Sequence, residues 1–131
     1  MKYVASSSRQ WKSGRGYVKA QLVTADTLRV PGTLVQVLKV QPKQVIPPHY
    51  HEHSTEVFYV LSGSGTMTIA GETVAMHPGD TVVCEPRELH AAENSSTEEW
   101  EYVFSRPTGK TATVCGYRRR LAGRAADSSQ C

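Results

Sequence analysis

Three of the five histidines fall within five positions, in the segment Pro47-Pro48-His49-Tyr50-His51-Glu52-His53-Ser54-Thr55-Glu56. Residues two apart on an extended chain share a face, so His49 and His51 can converge on one point. Glu56 lies five residues beyond His51, the wrong parity for an unbroken strand. A shared centre therefore requires a bend or bulge within Glu52 to Thr55, and the Ser-Thr pair is compatible with one. From Glu56 onward, alternation puts Glu56, Phe58 and Val60 on one face. A carboxylate beside Phe and Val is costly unless a cation neutralises it. A divalent transition metal would do so, and two imidazoles plus a carboxylate suit Fe, Mn, Ni or Zn. His90, opening a strand after the Pro86 turn, is the candidate fourth ligand. Spacing alone leaves solvent-facing or hydrogen-bonded histidines open as the alternative.

Glu56 and His53 are the candidate catalytic groups. The break before Glu56 moves His53 toward the rim, where a proton-transfer role or a substitute-ligand role stays open. His77, in a Met-His-Pro turn, is assigned no chemistry. Trp100, Tyr102 and Phe104 alternate on one face of a late strand. They build a core or, with Phe58 and Val60, line a cavity for an apolar or aromatic ligand.

The elements that must position these residues are short and extended. Strand patterns cover Tyr17 to Thr24, Leu34 to Gln41, Glu56 to Leu61, Thr66 to Ala70, Glu72 to Met76, Thr81 to Cys84, His90 to Glu93, Glu99 to Arg106 and Thr111 to Tyr117. Ala70-Gly71 is a hairpin signal, and Asp26 to Thr33 reads as a loop. The one candidate helix, Arg119 to Ala126, is weakened by Gly123. About nine strands without a long helix predict an all-β antiparallel sandwich or small barrel. The expected organisation is an arm over residues 1–16, a β-domain over 17–117 and a basic tail over 118–131.

Composition narrows the classes further. A chain of 131 residues, 39% hydrophobic and 21% charged, suits one globular domain. No run is long enough to cross a bilayer, and Met1 to Lys12 holds no apolar stretch of the kind a secretory leader needs. The net charge of +3 arises in the tail, where Arg118, Arg119, Arg120 and Arg124 face only Asp127. With no basic stripe across the body, neither a nucleic-acid nor a membrane partner is expected. Three cysteines without paired spacing (Cys84, Cys115 and Cys131) predict a reducing, cytoplasmic setting.

With these motifs in place, the chain resembles a small single-domain cupin. The first cupin motif has two histidines one residue apart, then a glutamate, then a glycine; His49, His51, Glu56 and Gly63 match it at the family spacing. In the second, Gly79, His90 and Asn94 match, while Glu85 stands where proline is usual and Arg87 where glycine is usual. The resemblance implies a cupin-type double-stranded β-helix, or jelly-roll barrel. It also implies one divalent metal per chain held by His49, His51, Glu56 and His90, and a homodimer. The motifs are nearly silent about the reaction. Open coordination positions would admit dioxygenase-type chemistry on a diketone or catechol-like compound. Lewis-acid chemistry of an isomerase, lyase or polyketide-cyclase type is a second expectation, and non-enzymatic binding of a small ligand a third.

Overall fold

Alternating burial along the strands divides the chain between two antiparallel sheets that share one core. The computed structural model describes residues 1–107 and the backbone of residues 114–116. In chain order the strands are β1 (Trp11–Ser13), β2 (Tyr17–Val23), β3 (Leu34–Val40), β4 (Val45–His51), β5 (Glu56–Ser62), β6 (Gly65–Ile69), β7 (Glu72–Met76), β8 (Thr81–Cys84), β9 (His90–Glu93), β10 (Trp100–Arg106) and β11 (Val114–Gly116). One sheet has the order β1-β2-β3-β10-β5-β8 and the other β11-β4-β9-β6-β7. Both supply one apolar cluster: Leu38, Val40, Phe58, Val60, Trp100 and Tyr102 from the first, Ile46, Met67, Met76 and Ala92 from the second. The expectation of a cupin-type double-stranded β-helix is met in its two-sheet form. Among the described residues the architecture is a two-sheet, cupin-like fold, and neither sheet closes on itself.

The expected loop at Asp26 to Thr33 contains a single-turn helix, α1 (Ala25–Leu28). Thr24 caps it by accepting from the Thr27 N–H at 3.1 Å. A helix of four residues is too short to leave a periodic apolar signal. The segment read as an arm carries β1, which pairs with β2 through Trp11↔Ala20. The candidate helix at Arg119 to Ala126, the basic tail and Cys131 lie outside the described residues. No helix among the described residues is long and apolar enough to cross a membrane.

Two turns set the strands that matter. Ala70 and Gly71 both take positive φ, 51° and 90°, between the paired residues Ile69 and Glu72. That is the two-residue hairpin whose twist matches its strands. Gly63 leaves β5 at φ +69°, where an added Cβ would lie 2.2 Å from the Glu99 carbonyl oxygen, so the motif glycine is a backbone requirement.

Asn94 ties the end of β9 to the opposite sheet. Fully buried, it donates to the carbonyls of Val40 (2.9 Å) and Glu98 (2.7 Å). It accepts from the Ser96 N–H (3.0 Å) and hydroxyl (2.7 Å). Every hydrogen-bonding position of the amide group is used. Asn94→Ala is expected to destabilise the fold by about 3 kcal/mol, because it leaves buried partners unsatisfied. Urea denaturation monitored by tryptophan fluorescence measures it.

Candidate metal centre

The site begins with a pair of residues that cannot join a ladder. Pro47 and Pro48 lack N–H groups, and the register of β4 against β9 shifts between Ile46 and His49. After that shift His49 stands directly opposite His90. The ring centroids of these two are 4.3 Å apart, and His51 lies 5.5 and 5.6 Å from them. One ligating atom from each of His49, His51 and His90 lies within 4.8 Å of the others.

The chain then bends at Glu52 and His53 and crosses to the other sheet, where β5 opens with Glu56. The bend that parity requires is therefore present. Glu56 is 3% exposed. Its Oε1 lies 3.1 Å from His51 Nε2, and its Oε2 lies 3.3 Å from His90 Nε2. Arg106 donates from Nε to Oε1 at 2.8 Å. Burial opposes ionisation of Glu56. The His51 and His90 imidazoles against its two oxygens, with the Arg106 charge, outweigh it and hold the carboxyl far below its ordinary range.

Backbone carbonyls orient two of the imidazoles. His49 Nδ1 is 2.9 Å from the Pro47 oxygen, and His90 Nδ1 is 2.9 Å from the Glu88 oxygen. Donation from Nδ1 leaves Nε2 as the ligating atom, the arrangement that second-sphere carbonyls impose on metal-binding histidines. Burial, followed by the neighbouring His90 charge, lowers the His49 pKa. Burial also opposes the charge on His90, yet Cys84, Glu56 and the Glu88 carbonyl together push it up to about 10. Cys84 puts its Sγ 3.0 Å from His90 Nδ1.

These residues fit a metal on two grounds. His90 Nε2, the nitrogen left to ligate, is buried without a hydrogen-bond partner, and such an orphaned atom requires an explanation. Two ligands at right angles about an ion with bonds of about 2.1 Å lie about 3.0 Å apart. The observed 3.1 and 3.3 Å separations from Glu56 to the two imidazoles match that value. The three-histidine cluster can chelate one divalent ion.

The second-motif departures keep the turn before His90. Arg87, in the position where the family has glycine, takes φ +71°, and its N–H bonds the His51 carbonyl at 2.8 Å. Its side chain pairs with Glu52 at 2.9 Å. Glu85, where proline is usual, uses its N–H to reach Glu88 Oε2 at 2.8 Å.

A cavity of about 350 Å³ opens beside the cluster. Phe58, Tyr102 and Phe104 line it; Val60 and Trp100 do not. Those two lie further along the same inward faces, 1% and 0% exposed, in the core. Complete burial of Tyr102, with the Glu56 charge nearby, raises its pKa and keeps the phenol neutral. His53 is exposed at the bend and does not reach the cavity, because the turn that brings Glu56 inward carries it outward. His77 is exposed, 3.5 Å from Asp80. Arg106, Lys19, Arg15 and Gln36 also line the cavity, although the sequence patterns did not single them out. Arg106 carried a usable signal, since it continues the even-numbered face of Trp100, Tyr102 and Phe104.

A two-sheet β-protein with a three-histidine cluster beside a largely apolar cavity defines a class of small metal-site proteins. Residues 36–105, just over half the chain, match the family described as Cupin domain, and the chain belongs to that family. An oxalate-binding protein of Thermotoga maritima is 27% identical over 93 residues, covering 70% of this chain and 77% of that protein. Quercetin 2,3-dioxygenase of Bacillus subtilis is 33% identical over 89 residues, which span 61% of this chain but only 26% of the enzyme. The structure of a polyketide cyclase from Streptomyces resistomycificus superposes with a TM-score of 0.75 at 20% identity, covering 92% of this chain and 88% of that one.

Untagged protein is expected to bind one equivalent of zinc or iron per chain. His49→Ala, His51→Ala and His90→Ala should each weaken binding by more than the roughly 10- to 100-fold that loss of an outer-sphere partner produces. Equilibrium dialysis with elemental analysis measures this, and unchanged affinity in any variant removes that residue from the centre.

Proposed function

We propose that the protein is a metal-dependent enzyme acting on a small oxygen-bearing organic molecule, with dioxygenase-type chemistry on a diketone or catechol-like compound. The observation that carries this reading is the placement of three converging imidazoles on the wall of a cavity of about 350 Å³. Neutral imidazoles hold a divalent ion without discharging it, and Glu56 is proposed as the fourth donor, offsetting part of its charge. A bound ion supplies a Lewis acid and, for iron, a redox centre. The residues of the chain do the rest. The Pro47 and Glu88 carbonyls hold His49 and His90 in orientation. Arg106 holds the Glu56 carboxylate. Phe58 and Phe104, stacked with centroids 5.9 Å apart, offer an aromatic wall for a planar substrate and exclude water beside the imidazoles. An ion held by His49, His51, His90 and Glu56 would supply the acceptor for ketone or phenol oxygens, and the body of the substrate would rest on that wall. The likeness to a quercetin 2,3-dioxygenase supports the oxygenase form.

Oxygen uptake tests the reading. Protein loaded anaerobically with Fe(II), then exposed to O2 with a panel of diketones and catechols, is expected to consume O2 in proportion to substrate lost. His49→Ala should reduce the rate at least about 100-fold, the scale of losing a group on which catalysis depends. Stoichiometric iron with no uptake on any member of the panel contradicts oxygenase chemistry.

A further inference from the structure

We propose that the molecule this site takes is a small organic anion, docked by a carboxylate or enolate oxygen on the terminal nitrogens of Arg106. The inference rests on the reading of the site as a substrate-binding metal centre and names the class of its substrate. Arg106 closes the inward-facing row of β10, and its side chain is only 14% exposed. Its Nε is committed to Glu56. Among the described residues no hydrogen bond engages the two terminal nitrogens. The guanidinium carbon lies 5.5 Å from the Phe104 ring centroid, and stacking of this kind fixes the plane of the group.

If Arg106 served only to neutralise Glu56, the carboxylate would need it. That carboxylate already has His51 at 3.1 Å and His90 at 3.3 Å. A divalent ion at the imidazoles would supply further positive charge. A second buried cation beside it is unfavourable unless an anion enters with the ligand. Among the described residues the lining has the corresponding excess: Arg15, Lys19 and Arg106 are its cationic side chains, and Glu56 is its one carboxylate. In the sheet order, β2 is three strands from β5, about 14 Å at about 4.8 Å per strand. Lys19 therefore stands at the far side of the cavity from Glu56, where it can draw an anion inward. Arg106, beside the histidines, is placed to make the specific, two-pronged contact that guanidinium forms with carboxylate. Phe58 and Phe104 accommodate an apolar body.

Benzoylformate and the neutral 1-phenyl-1,2-propanedione, which differ in carboxylate against acetyl, test this by calorimetry on full-length protein, with and without zinc. The wild type is expected to bind benzoylformate at least about tenfold more tightly than the dione, and Arg106→Gln to bring the two within about threefold while still taking up zinc. Arg106→Lys keeps the charge without the fork and should bind benzoylformate at least about threefold more weakly than the wild type, with dione binding unchanged. Absence of the preference in the wild type, its persistence in Arg106→Gln, unaltered benzoylformate binding in Arg106→Lys, or failure of both compounds to bind overturns the proposal. If zinc does not bind but an Arg106-dependent preference remains, the metal-enzyme reading fails and the anion site stands. Zinc binding without the preference overturns the anion site and leaves the metal centre standing.

Discussion

Placing an ionised carboxylate inside a small two-sheet protein is the constraint on which the rest of this structure turns. Glu56 enters from one sheet and meets His51 and His90 from the other, with Arg106 at its side. An isolated carboxylate buried among Phe58, Tyr102 and Phe104 would be prohibitively unfavourable. The arrangement is tolerated because each oxygen faces cationic or donor groups. The same arrangement makes the site a receptor for a cation, since His90 Nε2 faces it without a hydrogen-bond partner.

Backbone irregularities do the positioning. The Pro47-Pro48 pair interrupts the ladder of β4 and shifts its register, which sets His49 across from His90. The bend at Glu52 and His53 changes sheets and turns Glu56 inward. On the far side of the cluster, the turn before His90 uses Arg87 at positive φ and anchors it to the carbonyl of His51 and the carboxylate of Glu52. Two histidine-bearing segments far apart in the chain are thereby tied together by backbone as well as by side chains. Asn94 performs a similar service a few residues later, joining β9 to the carbonyl of Val40.

Much of this was legible in the residues. Short strand patterns between turn signals, such as Glu72 to Met76 and Thr81 to Cys84, are found at those bounds. The parity of His51 and Glu56 required the bend. Other features depend on long-range pairing, which alternation does not encode. Nothing local placed His90 against His49, or divided the aromatic row of β10 into Trp100 in the core and Phe104 on the cavity. His53 is a case of proximity in sequence without proximity in space: the bend that recruits Glu56 expels it. Arg106 continues the even-numbered face of the β10 row, a sign that is easily passed over because a cation at the end of an apolar row reads as a strand terminus. β1 and α1 were illegible because elements of three or four residues carry too little pattern. The barrel expected from the family is, among the described residues, an open pair of sheets.

The central claim is that His49, His51 and His90 hold one ion together. X-ray absorption spectroscopy on protein carrying one equivalent of zinc tests this most directly. The account predicts a shell of nitrogen and oxygen at about 2.0–2.1 Å with the outer-shell scattering of three imidazoles. A spectrum with sulfur in the first shell, or with fewer than three imidazoles, would contradict it.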